Sequence, residues 1–372
     1  TKLFASAGVG RFAYNWALST QQANYENGGK FIQDGELRRR FTELKQTEEY
    51  LWLNDYSNNI TKQAIKDACN AYKNFFDKKA DFPKYKSRKR TKPSFYIDPI
   101  KIKFTNTHVK LEKLTCSRKQ NRQKLNWVRL CEKDRVPVDV KYYNPRVSFD
   151  GLHWWLTVGI EMPVNAKAPS NEPIGIDLGI EKLAVTSNND VFENINKTKE
   201  VRRLKKKKRR LQRKISRKYE QNKGGEGRYR KTNNIIKSEI LLKKLYKRLT
   251  NIRNNHLHQT TSSITKREPS FIVLEDLCVS GMMKNRHLAK AIQEQKFYEF
   301  RRQIKYKSYW NGIEVIIAPR FLPSSKTCSN CGSYKKDLKL QHRTFVCDEC
   351  GFKEDRDLNA SLNLLHYGQS VR

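Results

Sequence analysis

Two C-x-x-C pairs, Cys328-Ser-Asn-Cys331 and Cys347-Asp-Glu-Cys350, separated by fifteen residues, constrain this chain more than any other feature. The spacing is that of a zinc ribbon, in which each pair sits on a tight turn and four thiolates close a tetrahedron around one Zn²⁺. Gly332 and Gly351 directly follow the second cysteine of each pair, where such turns need them. A closed tetrahedron leaves no position for substrate, so this single zinc is expected to be structural. The second pair runs almost at once into Asp355-Arg-Asp357-Leu-Asn359-Ala, which sets the metal knot against an acidic helix start.

Charge narrows the choice of partner. The 372 residues include 76 Lys or Arg against 38 Asp or Glu, a net charge of +38. Such a field repels cations and concentrates polyanions, which favours nucleic acid over an acidic membrane. Seventeen Tyr, seventeen Phe and six Trp mark a folded chain with a real core, not a basic tail. The same rings can stack unpaired bases. No apolar run reaches the roughly 18 residues of a membrane span, and no secretory signal is visible in a chain that begins at Thr1. Cys69, Cys116, Cys131 and Cys278 lack metal spacing and are expected to be plain buried thiols of a cytosolic protein.

Periodicity divides the chain. Residues 6 to about 80 read as helical, with Phe12, Trp16, Trp52, Ile60, Ala64, Ala68, Tyr72 and Phe75 on buried faces. FPKYKSRKRTKPSF, residues 82–95, reads as an extended basic connector that can contact phosphate. From 95 to 163 the pattern alternates, and several short strands suggest a small barrel. AKAPSNEP at 166–173 reads as a linker. IGIDLGIEKLAVTS at 174–187 reads as a β-hairpin, and 197 to about 258 as a helical hairpin broken at Gly224, Gly225 and Gly227. Its first arm, RRLKKKKRRLQRKISRK at 202–218, is nearly all basic, and Leu241, Leu245 and Leu249 stripe the second. The strand FIVLED at 271–276, a helix near 288–310 and the strand IEVIIAP follow. A last helix from 357 to about 366 carries Leu358, Leu362 and Leu365 on one face.

Three acids lie at element ends: Asp177 in the first strand of the hairpin, Glu275 closing Phe271-Ile-Val-Leu274, and Asp357 opening the last helix. An acid in an apolar strand is costly unless a cation meets it. If these acids converge, they make a hard, oxygen-rich site suited to Mg²⁺ or Mn²⁺, and two such ions can activate water and stabilise the leaving oxygen of a phosphodiester. Taken singly, Asp357 can be an N-cap, and Asp177 or Glu275 a strand-end partner for Lys or Arg.

GIDLGIEKLAVTS, FIVLEDLCVSGMM and the ribbon followed by DRDLNASLNLL resemble the three split motifs of a RuvC-type nuclease. Their order, with the ribbon before the third acid, resembles TnpB (OrfB), the transposon-encoded family ancestral to compact type V CRISPR effectors. YKSYWNGIEVIIAPRFLPSSKTCSNCG and GRFAYNWAL match the family as well, so the resemblance runs from position 10 to 365. It implies an α/β multidomain protein: an RNase H-like RuvC nuclease core with an inserted zinc ribbon, a helical recognition lobe and a small β-barrel wedge domain. The expected bounds are 1–92 for the lobe with its basic connector, 93–165 for the wedge, 171–372 for the nuclease and 326–352 for the ribbon. Carried over motif by motif, Asp177, Glu275 and Asp357 would be the catalytic, Mg²⁺-holding acids, with Asp276 and Asp355 ranked lower. The family usually opens with a short strand before the GRFAYNWAL helix; here that helix starts almost at once.

The function this implies is RNA-guided, Mg²⁺-dependent cleavage of double-stranded DNA beside a short adjacent motif, by one protein chain with one guide RNA and no membrane partner. Arg202, Arg203, Arg209, Arg210 and Arg213 would follow phosphates. The alternatives are an RNA-independent RNase H-like transposase or resolvase, a non-cleaving RNA-guided repressor, and a zinc-ribbon nucleic-acid-binding protein without catalysis.

Overall fold

The structure is a computed structural model that describes residues 1–114, 126–163, 169, 171–225, 228–339 and 341–372. Cys116, Gly227 and half of the linker at 166–173 lie outside the described residues. The chain divides into two units, Thr1–Met162 and Pro163–Arg372.

In the first unit, α1 (Lys2–Glu26), α2 (Asp34–Leu44) and α3 (Asn58–Phe76) are the helices. Small residues at one-turn spacing, Val9, Ala13 and Ala17, are buried along α1. Gly10 of α1 faces Ile60 of α3, where a Cβ would lie 3.4 Å from the Ile60 side chain. Ser57 caps α3 by accepting the Asn59 N–H at 3.2 Å, which satisfies one of the free donors at the helix start. Strands β1 (Ser94–Tyr96), β5 (Tyr142–Phe149) and β6 (Trp154–Ile160) form one antiparallel sheet. Strands β2 (Lys103–Phe104), β3 (His108–Lys110) and β4 (Trp127–Arg129) form another. Helices and strands share one apolar core that runs from Ala7 to Val147. Arg146 of β5 clamps Asp67 of α3 with two hydrogen bonds of 2.9 and 3.0 Å. Trp52 is a correction to the expected helical face: it lies in a 3-10 segment, Glu48–Asp55, and is 44% exposed. Cys69 is buried as expected, whereas Cys131 is exposed and Cys278 half-buried.

The second unit is built on a five-stranded sheet. The strands are β7 (Ile174–Leu178), β8 (Lys182–Thr186), β9 (Val191–Glu193), β10 (Phe271–Glu275) and β11 (Glu314–Ala318), in the order β11-β10-β7-β8-β9. β7, β10 and β11 are parallel, while β8 and β9 return antiparallel. The expected hairpin at 174–187 is β7–β8. The basic stretch is α4 (Lys199–Gln221), packed on α5 (Asn233–Thr265) through Val201, Leu204 and Leu249. A single turn, α6 (Val279–Met282), follows β10.

The helix expected near 288–310 is two helices, α7 (Ala289–Gln295) and α8 (Phe297–Trp310), broken at Lys296 in the left-handed conformation (φ 58°, ψ 45°). Tertiary contacts override the local period there. The Gln295 amide donates to the carbonyls of Gly179 and Ile180 at 3.0 and 3.2 Å, Lys296 donates to Asn254 at 2.5 Å, and Phe297 is buried.

The ribbon carries the short hairpin β12 (Thr344–Val346) and β13 (Lys353–Asp355), and α9 (Arg356–Ser370) ends the chain. Helices α5 and α8 cover one face of the sheet through Leu257, Ile264, Phe300 and Ile304, packed with Ile174, Ile176, Ile272 and Leu274. The opposite face, Phe271 and Val273 with Ala318, packs with Leu364 of α9. The buried stripe of α9 therefore runs through Leu358, Ser361, Leu364 and Gly368, with Leu362 and Leu365 only half-buried.

Candidate active site and metal centre

Side chains alternate along a strand, so Gly175 and Asp177 of β7 face the same way. On that face lies α9. A Cβ on Gly175 would run into the Ser361 carbonyl oxygen and come within 2.7 Å of the Leu365 nitrogen. Only glycine lets the helix backbone lie this close. One turn toward its N-terminus, the same helix carries Asp357. At the far end, Gly368 plays the matching part, since a Cβ there would meet Val273 and come 2.8 Å from the Phe271 ring.

The register of β10 on β7 pairs Ile272 with Ile174, Val273 with Gly175 and Leu274 with Ile176. The next residue on each strand is an acid, so Glu275 and Asp177 are neighbours at the carboxyl ends of adjacent parallel strands, where backbones lie about 4.8 Å apart. The structure thus brings Asp177, Glu275 and Asp357 to one end of the sheet. The Asp177 carboxyl is pushed well above the ordinary aspartate range, first by burial and then by the charges of Glu275 and Asp357, with Arg356 partly offsetting them. Burial also raises Glu275, against a hydrogen bond of 2.9 Å from the Ser324 hydroxyl. Asp357 pairs with Arg356 at 3.1 Å.

The adjacent acids are otherwise engaged. Asp276 is held by Arg320 at 2.5 Å and Arg301 at 2.8 Å, whose hydrogen bonds lower its pKa. Asp355 is the N-cap of α9, accepting the N–H groups of Asp357 at 2.9 Å and Leu358 at 3.2 Å. Its second oxygen meets Lys182 of β8 at 3.1 Å. Burial raises the Asp355 pKa, but the Lys182 bond and the two N–H groups outweigh it and leave it below the ordinary value. Asp357 is therefore the second residue of the helix and not its cap.

The cysteine knot is closed. The candidate ligand atoms of Cys328, Cys331, Cys347 and Cys350 lie within 4.8 Å of one another, with sulfur pairs at 3.7 Å (Cys328–Cys350) and 3.6 Å (Cys331–Cys347). Among the described residues no other group of three or more possible ligands is gathered this tightly; the three carboxylates stand further apart. Both knuckles turn through left-handed glycines, Gly332 (φ 77°) and Gly351 (φ 69°), which glycine adopts without strain. Hydrogen bonds from the Cys350 N–H and Ser333 push the Cys347 thiol down to about 6, while burial pushes Cys328 up to about 11. Four soft sulfurs in this compass suit a structural zinc.

Two asparagines, which the sequence reading did not single out, join knot to acids. Asn359, fully buried, accepts the Ser329 N–H at 3.0 Å and donates to the Thr327 carbonyl at 2.7 Å. Asn363 donates to the carbonyls of Ser324 at 2.7 Å and Thr327 at 2.6 Å. Ser324 in turn reaches Glu275. The only sequence signal was an Asn set between Leu358 and Ala360 on a helix.

Arg202, Arg203, Arg209, Arg210 and Arg213 are all exposed along α4. A cleft of about 510 Å³ between α4 and α5 has Leu211, Leu241 and Leu245 on its wall and Lys207, Arg210, Lys214, Lys244 and Arg248 around it. Among the described residues, no helix is long and apolar enough to cross a membrane.

These features define a mixed α/β protein with a four-cysteine knot wired into the acidic end of the parallel strands of a mixed sheet. Family models match residues 1–30 (a "Helix-turn-helix domain" of the OrfB_IS605 type), 156–286 (OrfB_IS605, "Probable transposase") and 297–364 ("Cas12f1-like, TNB domain"). The chain is 32% identical to the "Putative RNA-guided DNA endonuclease InsQ" of Escherichia coli (strain K12), over 98% of this chain and 88% of that one. It is 29% identical to a "Putative RNA-guided DNA endonuclease" of Streptomyces pristinaespiralis, over 99% and 85%. The fold is similar to that of Cas12f1 in a complex with sgRNA and target DNA, with a TM-score of 0.61 at 16% identity, covering 98% of this chain and 81% of that one. The chain belongs to the transposon-associated TnpB (OrfB) family.

Proposed function

We propose that this protein is an RNA-guided DNA endonuclease, as its relatives are named, and that its second unit is a RuvC-like core that cleaves phosphodiester bonds. The observation that carries this reading is the register of β10 on β7, which sets Glu275 beside Asp177 under the first turn of α9 with Asp357. The donor set fits a hard divalent cation such as Mg²⁺. Its ligands are carboxylate oxygens, and the Asp177 carboxyl is raised first by burial and then by the charges of Glu275 and Asp357 beside it. Asp177, Glu275 and Asp357 would hold such ions, which when bound supply an activated water and stabilisation of the leaving oxygen.

The protein's own groups arrange the rest. Ser324 fixes the Glu275 carboxylate, and Asp355 with Lys182 anchors the start of α9 and so the height of Asp357 above the sheet. Zinc in the knot would brace the same helix through Asn359 and Asn363. The exposed arginines of α4 hold phosphate without reading bases. The two small sheets of the first unit are read as the wedge barrel, and α1 to α3 as the recognition lobe.

The test is to sequence RNA that co-purifies with the protein, then to assay a plasmid with randomised flanks with and without that RNA. Cleavage should require the RNA, move when its guide end is changed, and keep one short flanking motif. Cutting at an unchanged site after RNase treatment would favour an RNA-independent recombinase.

A further inference from the structure

Phe321 is 90% exposed, the most exposed aromatic ring among the described residues. Water is a poor environment for a benzyl group, and a flexible loop would fold it away. This loop cannot. It runs Pro319-Arg-Phe-Leu-Pro323 directly after β11, with proline fixing φ at both ends. The Leu322 N–H bonds to the Pro319 carbonyl at 3.0 Å, and the Lys326 and Thr327 N–H groups bond to Pro323 at 2.9 and 3.0 Å. Leu322 packs into the core beside α9. On one side of the ring, Arg320 grips Asp276 at 2.5 Å; on the other, Ser324 grips Glu275 at 2.9 Å. The turn is thus tied at both ends to consecutive residues of the acidic strand end, and Phe321 is left projecting between the ties.

We infer that Phe321 is a stacking platform for one base of the single-stranded DNA presented to the acids, and so positions the phosphodiester to be cut. This rests on the nuclease reading above. Ser324 is three residue steps from Phe321, a reach of at most about 11 Å. Phosphates advance about 3.4 Å per nucleotide along the axis of duplex DNA, and further per nucleotide in an extended single strand, so the stacked base lies within a few nucleotides of the scissile bond. Stacking is tolerant of base identity because every base has a π-face, which suits an enzyme whose sequence choice comes from pairing. Arg320 cannot take this role while its guanidinium is committed to Asp276.

The experiment uses the RNA-loaded protein and target DNA with single abasic sites stepped across the cut region. In the wild type, one abasic position near the cut should slow cleavage about tenfold. Phe321→Ala should slow intact DNA by about the same factor and show no additional loss at that position, and Phe321→Trp should restore the rate. Phe321→Ala cutting intact DNA at the wild-type rate, or losing as much as the wild type at every abasic position, would overturn the proposal while leaving the nuclease intact. A second measurement needs no cleavage. In an Asp177→Ala background, the added emission of Phe321→Trp should be quenched by single-stranded DNA, and unchanged emission would also overturn it.

Discussion

The Asp355 carboxylate accepts the backbone N–H of Asp357 at 2.9 Å, so one acid of the D-R-D sequence holds the helix that presents the other. The division of labour is measurable. Asp357→Ala should abolish cleavage while leaving the melting temperature nearly unchanged. Asp355→Ala should cost about 1 kcal/mol of stability as a lost cap, with cleavage reduced and not abolished. Asp355→Asn, which can still cap, should recover most of that loss. Calorimetry beside a plasmid-nicking assay checks both; a dead Asp355→Ala with an active Asp357→Ala would reverse the assignment.

The crowding of Asp177 and Glu275 gives a pH dependence of defined sign. Both carboxyls are held above their ordinary values by burial, and Asp177 further by its acidic neighbours. Between the ordinary and the raised pKa the folded protein binds more protons than the unfolded chain, so stability falls as pH rises through that window, from about 4 upward. Without added divalent ions, the melting temperature of the wild type should drop on going from about pH 5 to about pH 8, and Asp177→Asn should flatten the drop. Added Mg²⁺ binds the charged form, so its stabilising effect should grow with pH in the wild type and be much smaller in Asp177→Asn. A wild-type curve no steeper than that of Asp177→Asn would refute the account.

The cysteine knot and Glu275 are joined through Asn359, Asn363 and Ser324, so zinc removal should be felt at the acids. Elemental analysis should find about one zinc per chain. Cys347→Ser should lower zinc content, melting temperature and cleavage together. Asn363→Ala should lower cleavage with zinc retained, since it cuts the link and spares the knot. Full cleavage by zinc-free protein would break this chain of argument.

Much of this site was legible in the sequence, and the reasons differ by residue. The cysteines announce themselves by spacing, and Asp177 and Glu275 by interrupting apolar runs, because those signals are local. The role of Asp355 needed the cap geometry, which a two-residue shift between acids cannot reveal. Gly175 read as an ordinary strand residue, and its purpose appears only when α9, some 180 positions later, lies on it. The break at Lys296 is invisible to periodicity because both halves keep a helical pattern, and only the burial of Gln295 and Phe297 in separate surroundings forces the left-handed residue. Trp52 was misplaced for the opposite reason: its spacing fitted a helix, but the segment is 3-10 and turns the ring outward.

Gly175 offers a test of the packing that sets the site's depth. A methyl group there would strike the backbone of α9 at Ser361 and Leu365, atoms that cannot rotate aside. Gly175→Ala should cost at least about 1–3 kcal/mol, as overpacking does, and should lift Asp357 away from Asp177. Cleavage should fall far more than stability, and the loss should not be rescued by raising the Mg²⁺ concentration modestly. Gly8→Ala, within α1, is the control, since a Cβ there meets nothing within 4 Å; it should leave cleavage unchanged and raise the melting temperature slightly, because alanine favours the helix over glycine.

The last prediction concerns the exposed arginines of α4. Arg209 and Arg210 are adjacent on the helix, and Arg210 also borders the cleft shared with Lys214, Lys244 and Arg248. If they hold phosphate, each contact removed should lower the log–log slope of affinity against salt by about 0.9 on duplex DNA, or about 0.7 on a single strand. Changing both to Gln keeps the side chains polar but shorter and removes two charges, so the slope should fall by about 1.4–1.8. The weakening should be uniform across target sequences, because phosphates carry no sequence information. Binding isotherms between about 50 and 200 mM salt, on matched targets of different sequence, read both quantities. An unchanged slope would remove these residues from the interface. A slope change accompanied by altered sequence preference would mean that this arm reaches bases.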